Sequence, residues 1–305
     1  MDDQTTNAPS CCPVCDGRRI RRWRKGMAVR PVTTDDVKIT DARYGLAWPL
    51  WRCADCRYVF APDALQNRLN EVYQEMTDEA YEDGASYRQR QQQSNLSELI
   101  RVAGRVPATL LDIGCGTGLL LAAARERGMT GVGVEPSRWA VARAQARGLD
   151  VKQGFYPHPE VEGTFEAIAL IDLIEHVTDP RALLGAAARQ LAPGGVLQVI
   201  TPDIDSWASR IMGRRWWHCR LAHVGFFNRA SFSELARRCG LELVAVRRAK
   251  WYFSVGYVLE RLTAYTPRVD WAGIGRRHGL LRRWMDAVFP LNLFDSNSFY
   301  LRRKP

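Results

Sequence analysis

Hydrophobic and polar positions change texture twice along this chain. Residues 16–65 hold short apolar runs cut by turn residues and flanked by cysteine pairs, which predicts small strands and turns, with Pro62 closing the stretch. Residues 64–104 are mostly polar, acidic first and then glutamine-rich over Gln89–Gln93, and predict a helical linker. From Ala108, short apolar runs alternate with helical periodicity. Thr109–Ile113 reads as a buried strand, Leu119–Arg127 as a helix closed by Gly128, and Gly131–Val134 as a second strand. Ser137 caps a helix running to Arg147, Asp150–Gln153 is a third strand, and Phe165–Asp172 a fourth. A helix over Asp179–Leu191 turns at Pro193–Gly195 into a fifth strand, Val196–Ile200. After an irregular stretch, Ser231 caps a helix over Phe232–Cys239, Gly240 ends it, Leu241–Val246 is a strand, and Ser298–Arg302 is the last strand. Strands alternating with helices of about ten residues need crossover connections, and hence a parallel sheet.

Length and composition bound the rest. The chain has 305 residues, 46% hydrophobic and 25% charged, which excludes a mainly disordered protein. No run reaches the ~18 apolar residues of a membrane span. The opening MDDQTTNAPS lacks the basic and apolar regions of a secretory signal, so a cytoplasmic location is expected. The net charge is +10, and it is concentrated: residues 203–305 hold 19 basic against 8 acidic side chains. A basic third suits nucleic acid, an anionic membrane, an anionic substrate, or simply a solvated arginine-rich surface.

Four of the eight cysteines form two pairs, Cys12-Pro-Val-Cys15 and Cys53-Ala-Asp-Cys56. Two intervening residues let both thiolates of a tight turn face one ion, and two such turns complete a tetrahedral sulfur site of the structural zinc kind. Four thiolates leave no open coordination position, so such a zinc does no catalysis. Neither pair stands between a strand and a helix of a crossover unit, which argues against redox chemistry. Cys11 is an adjacent spare able to replace Cys12.

The turn after the first parallel strand reads Asp112-Ile-Gly114-Cys-Gly116-Thr-Gly118. Glycine at alternate positions lets the backbone pass close to a ligand. Asp112 puts a carboxylate beside that ligand, which repels a pyrophosphate and attracts an ammonium group. Glu135, 23 residues further on, ends the next strand where ribose hydroxyls are bound. Together they describe a nucleoside bearing an amino acid rather than a dinucleotide. Asp112–Gly118 (DIGCGTG), Gly131–Glu135 (GVGVE), Ile171–Asp179 (IDLIEHVTD) and Leu191–Leu197 (LAPGGVL) resemble, in order and spacing, the motifs of class I S-adenosylmethionine-dependent methyltransferases. The resemblance covers residues 100–250, about half the chain, and is nearest to the ubiquinone-pathway O-methyltransferases and their small-molecule relatives. The cysteine pairs with the Tyr44–Phe60 stretch resemble the zinc-ribbon leader of some bacterial methyltransferases of polysaccharide and natural-product pathways. Sugar C-methyltransferases share that leader, but they are longer and carry a further C-terminal domain.

The resemblance implies an α/β fold, a doubly wound, Rossmann-like, mostly parallel seven-stranded sheet, with a small N-terminal zinc-ribbon-like module built on four cysteines. It implies S-adenosyl-L-methionine as cofactor. Asp112 and the Gly114, Gly116 and Gly118 backbone would hold its methionine part, Glu135 the ribose, Gly154 and Phe155 the adenine, and Asp172 would face the reacting methyl. Many relatives have an acid after the third strand to take the adenine amino group; Gly154-Phe155 departs from that pattern. The expected organisation is a module at 1–65, a linker at 66–104, a cofactor-binding core at 105–250 with a lid insert at 203–230, and a C-terminal substrate segment at 251–305.

Transfer to oxygen also requires loss of a proton, and three histidines are placed to take it. His223 leads out of the lid. His176 follows the fourth strand with Asp172 and Glu175, at offsets that the ubiquinone-type relatives associate with a divalent metal. His218 lies among Trp216, Trp217 and arginines in a stretch with the composition of a substrate cover. His223 is narrowly favoured as catalytic base, with His176 second. Gly279–Phe289 reads as a short basic amphipathic helix suited to an anionic membrane or a lipid-linked or phosphorylated substrate. The expected activity is O-methylation of a small or carrier-linked metabolite; N- or C-methylation of a sugar or amine is the alternative within the fold. A nucleic-acid modifier is the alternative of another class. Against it stands Glu175-His176, where base-amino methylases carry an asparagine-proline-proline-aromatic motif. Nothing in the sequence sets an oligomeric state.

Overall fold

The computed structural model describes residues 9–26, 32–38, 40, 45, 47–62, 66–266 and 268–304. Tyr44, where the aromatic stretch begins, and residues 1–8 and 63–65 lie outside them. The N-terminal part contains β1 (Ile20–Arg24), α1 (Thr34–Val37), β2 (Leu50–Cys53) and β3 (Val59–Phe60). Three helices follow, α2 (Gln66–Glu75), α3 (Glu79–Asp83) and the long α4 (Ala85–Ala103), closed by Gly104 in the left-handed conformation.

The alternating region gives β4 (Thr109–Ile113), α5 (Leu119–Glu126), β5 (Thr130–Glu135), α6 (Arg138–Ala146), β6 (Asp150–Gln153), β7 (Phe165–Ile171), α7 (Pro180–Gln190) and β8 (Leu191–Pro202). Beyond it come α8 (Trp207–Met212), β9 (Gly225–Phe226), α9 (Arg229–Arg238), β10 (Leu241–Arg248), β11 (Trp251–Ser254), α10 (Val255–Tyr265), α11 (Trp271–Arg277), α12 (Gly279–Arg282), β12 (Val288–Leu291) and β13 (Ser296–Arg303). No helix among the described residues is long and apolar enough to cross a membrane.

Seven strands form one sheet in the order β10-β13-β8-β7-β4-β5-β6. It is parallel from β8 to β6, while β13 runs antiparallel to both β8 and β10. Successive residues of one strand serve opposite faces, as strand pleating demands. Leu110 joins Leu96, Leu99, Leu120 and Leu121 on the α4–α5 side. Leu111 joins Leu184, Phe232 and Phe299 on the α7–α9 side, where the Phe232 and Phe299 rings stack at 3.8 Å. Strand order reverses at β4, between β5 on one side and β7 on the other, and such a switch point opens a crevice beyond the carboxyl ends of the strands.

Three local expectations are corrected. Asn228, not Ser231, caps α9: the Asn228 side chain accepts from Ser231 N at 2.9 Å and Ser231 Oγ answers Asn228 N at 3.0 Å, so Ser231 is the third residue of a reciprocal box. The helix before β8 ends at Gln190, because Leu191 already pairs with Phe165; pairing resumes at Val196–Ala167, and the residues between bulge out with Gly194 at φ +75°. Gly279–Phe289 is not one helix: α12 stops at Arg282, and Val288–Phe289 belong to β12, which pairs with β11.

The cysteine-rich part has its own antiparallel sheet, β1-β2-β3-β9. Its fourth strand comes from far along the chain, since Val59 pairs with Phe226 and Phe60 with Gly225. Trp48 Nε1 donates to Leu221 O at 2.7 Å beside it. Cys12, Val14, Cys53, Tyr58 and Phe60 share a hydrophobic cluster with Leu111, Ile168 and Phe227, so this part is packed into the main body.

Candidate functional site

The carboxyl end of β4 leads into the glycine turn. Gly114, Gly116 and Gly118 all have positive φ, at +75°, +53° and +79°. Their roles separate by what a side chain would meet. A Cβ on Gly118 would lie 2.5 Å from Leu149, so that glycine serves packing. A Cβ on Gly116 would meet nothing within 4 Å, so its backbone faces open space that a ligand can enter.

Asp112 is buried at the strand end, and its carboxylate makes no hydrogen bond or ion pair with the described residues. Burial, with the charge of Glu135 adding to it, pushes it up to about 8. A buried carboxyl without a partner fits a ligand ammonium group. Glu135, at the end of β5, accepts from Gly116 N through Oε2 and from Ser137 N through Oε1, each at 2.9 Å. It fastens the glycine turn to the neighbouring strand, and each oxygen keeps a lone pair for a ribose hydroxyl. Gly154 N donates to Glu135 O at 2.9 Å, which brings Gly154 and the half-exposed Phe155 ring to the same crevice. These residues fit the expected S-adenosylmethionine.

Asp172 follows β7 in the left-handed conformation, φ +51°, its N–H donating to Ile200 O at 2.9 Å. A non-glycine residue held there stores strain, a recurrent feature of functional sites. Burial and then the charge of Asp295 push its carboxyl up to about 7.

Beyond Asp172 lies a knot of buried polar side chains. His176 Nδ1 is 2.8 Å from Ala222 O and 2.7 Å from Tyr73 OH. Its ring meets that of His223 edge-on at 4.7 Å, and His223 stacks on His218 at 5.6 Å. Burial lowers His176 to about 4 and carries His223 well below its ordinary value, so both rings are neutral. His223 Nδ1 is buried without a hydrogen-bond partner. Glu175 accepts from Thr201 Oγ1 at 2.9 Å through one oxygen and leaves the other, Oε1, unpartnered. The ligand atoms of Glu175, His176 and His223 lie within 4.8 Å of one another. That cluster therefore holds His223, whereas sequence offsets point to Asp172 with Glu175 and His176.

Sequence reasoning missed Asp295. One carboxylate oxygen accepts from Trp217 Nε1 at 2.7 Å and lies 3.2 Å from His218 Nε2; the other is buried and unpartnered. The available signal was the run Asp295-Ser-Asn-Ser at the start of the final strand, four polar residues where a buried strand begins. Tyr73 was missed as well, because a tyrosine in a polar helix carries no such signal. Within residues 203–230, Trp216 is fully buried and Trp207 exposed, so only part of the aromatic surface of that stretch faces out.

In the cysteine-rich part, Cys12 Sγ lies 3.6 Å from Cys56 Sγ and Cys15 Sγ 3.5 Å from Cys53 Sγ, with all four sulfurs within 4.8 Å. Tetrahedral zinc with bonds of about 2.3 Å sets sulfur–sulfur edges of roughly 3.8 Å, and the four thiols fit it. Cys11 is exposed and outside the cluster.

The sequence profile of the family described as Methyltransferase domain matches residues 85–246, more than half of the chain. Among curated proteins, a ubiquinone biosynthesis O-methyltransferase of Bradyrhizobium sp. (strain ORS 278) is 33% identical over 122 residues, covering 38% of this chain and 44% of that protein. One of Caulobacter sp. (strain K31) is 36% identical over 111 residues, covering 32% and 43%. The chain thus matches less than half the length of these relatives. Among solved structures, a methyltransferase of Thermotoga maritima superposes with a TM-score of 0.47 at 18% identity, covering 79% of this chain and 98% of that one. The profile match spans the glycine turn, the Glu135 strand, the Asp172 loop and the helix leading into β10, and on it the chain belongs to the methyltransferase domain family.

Proposed function

We propose that this chain transfers the methyl group of S-adenosylmethionine to a hydroxyl of a small or carrier-linked metabolite. The observation that carries the reading is Asp112: a buried, unpartnered carboxyl beside a glycine turn whose middle residue faces open space. Asp112 and the Gly114–Gly118 backbone hold the amino-acid end of the cofactor, Glu135 the ribose, and Gly154 with Phe155 the adenine. Asp172 lies beside the reacting methyl. When bound, the cofactor supplies an electrophilic methyl on a good leaving group, so the protein's work is positioning, exclusion of water and removal of one proton.

His223 takes that proton, because its Nδ1 is free while His176 Nδ1 is engaged by Tyr73 and Ala222. His176 braces the His223 ring. Oxygen as acceptor is supported by the similarity to proteins named ubiquinone biosynthesis O-methyltransferases. Zinc at Cys12, Cys15, Cys53 and Cys56 is structural in this reading, and a reducing compartment, the cytoplasm, suits four clustered thiols. Calorimetry with S-adenosylmethionine and S-adenosylhomocysteine tests the assignment: micromolar binding by the native chain, weakened in Asp112→Ala and in Glu135→Ala. Unchanged affinity in both variants overturns it.

A further inference from the structure

Every long connection that follows β8 leaves from one edge of the main sheet. β8 ends at Pro202 and runs into α8; β13 begins opposite it, with Ser296 paired to Pro202; β10 ends at Arg248, opposite Asn297, and runs into β11 and α10. This is also the edge that carries Gly114, Glu135 and Asp172. The connections are tied together. Tyr265, at the end of α10, donates to Arg215 O at 2.9 Å, just after α8. The turn after α12 is pinned to the start of α10 by Gly256 N to Met285 O at 2.8 Å and Val255 N to Ala287 O at 3.1 Å.

Large apolar side chains are exposed along these connections. Ile211, Trp284, Trp207, Phe294, Leu262 and Trp271 are 39 to 76% exposed, and they account for most of the large exposed hydrophobics among the described residues. Exposed arginines are interleaved with them: Arg210, Arg214 and Arg215 around α8, Arg268 before α11, and Arg282 and Arg283 beside Trp284. Residues 207–220 contain four arginines and no acid, and residues 255–294 contain six arginines against three acids.

We propose that this α8–α12 face docks on an anionic lipid surface. Tryptophans beside arginines suit the headgroup layer, where the ring lies at the boundary and the guanidinium reaches phosphate while its stem stays apolar. Isoleucine and leucine distinguish this occupant from single-stranded nucleic acid, because aliphatic side chains offer no flat surface on which a base can stack. Apolar contact and charge attraction act together, as in other interfacial proteins. The proposal does not depend on the methyl-transfer reading, since it concerns adsorption of the whole chain.

Flotation with phosphatidylcholine vesicles, with and without phosphatidylglycerol, tests it. The native chain should float with the anionic vesicles only, and should be released as salt rises. Arg282→Gln with Arg283→Gln should weaken that binding about thirtyfold, from two lost headgroup attractions. Trp284→Ala with Ile211→Ala should weaken it while leaving the salt dependence in place. Circular dichroism and the melting curve of each variant report that it is folded. Equal binding to neutral vesicles, or no binding to either kind, overturns the proposal. So does tighter binding to a mixed-sequence single-stranded oligonucleotide than to the anionic vesicles. A dimer in sedimentation that the same substitutions abolish would assign the face to a second copy of the chain instead.

Discussion

Asp112 carries a proton that a cationic ligand has to displace. Its carboxyl is held up to about 8 by burial and by Glu135, against an ordinary 3.8, so its contribution to stability is complete below 3.8 and is lost as the pH rises through about 8. S-adenosylhomocysteine binding near neutral pH should therefore release a proton, read as a dependence of calorimetric enthalpy on the buffer's ionisation enthalpy. Asp112→Asn should abolish that dependence and weaken binding by ~1–3 kcal/mol; persistence of the proton release places the titrating group elsewhere. His176 works with the opposite sign. Its imidazole is lowered by burial from 6.5 to about 4, so its contribution is present above 6.5 and lost as the pH falls through 4. His223→Ala should lower turnover on the hydroxyl acceptor ~10-fold or more while leaving cofactor affinity nearly unchanged. If turnover survives there and is lost in His176→Ala, the base is His176. Asp112, Glu135 and Asp172 could be placed at the crevice from sequence because each stands at or just beyond a strand end, where an apolar run meets glycine or acid. Tyr73 was not legible, and the polar run at Asp295 marks only the start of a strand, since nothing in sequence spacing brings residues 73, 218 and 295 together.

The parallel strands were readable for a related reason: β4 ends where its apolar run ends, and β7 stops one residue before Asp172, where the backbone turns left-handed. Capping was harder. Asn228 and Ser231 are both good cap residues three apart, and the reciprocal box decides between them only when both side chains are in place. Asn228 is also held from outside the helix, its Nδ2 donating to Asp205 Oδ2 at 2.9 Å, and Asp205 in turn pairs with Arg57 at 2.8 Å. Asn228→Ala should therefore destabilise the chain by ~1 kcal/mol or more, measured as a shift in urea midpoint at constant slope. Ser231→Ala removes the answering bond and the one that Ser231 Oγ donates to Asn228 O at 3.1 Å, leaves the cap bond and the Asp205 contact in place, and should cost less. Equal losses would mean that the box acts as one unit. The basic stretch at 279–289 was misread because its apolar periodicity, taken alone, does not reveal that Val288 and Phe289 pair with Ser254 and Phe253.

At the scale of the molecule, the cysteine-rich part and the acceptor side of the crevice share a wall. β9 follows His223 by one residue and completes the sheet begun by β1, β2 and β3, so a metal held by the four thiols would bear on the histidine knot. Elemental analysis should find about one zinc per chain. Chelation should raise hydrogen exchange in residues 9–26 and 47–62, and in residues 221–227 as well. Exchange confined to the N-terminal residues would show that β9 holds without the ribbon. No sequence pattern announced this coupling, because a two-residue strand leaves no periodicity to read. The placement of β13 has a consequence for synthesis. Ser296–Arg303 lies between β8 and β10, yet β10 is made more than forty residues earlier. On a ribosome, β10 must wait beside the growing sheet with its pairing edge bare until that last strand emerges. The apolar residues of α9 and β10 are then free to meet a chaperone or a neighbouring nascent chain, and Asp295, arriving with β13, joins Trp217 and His218 only after that wait.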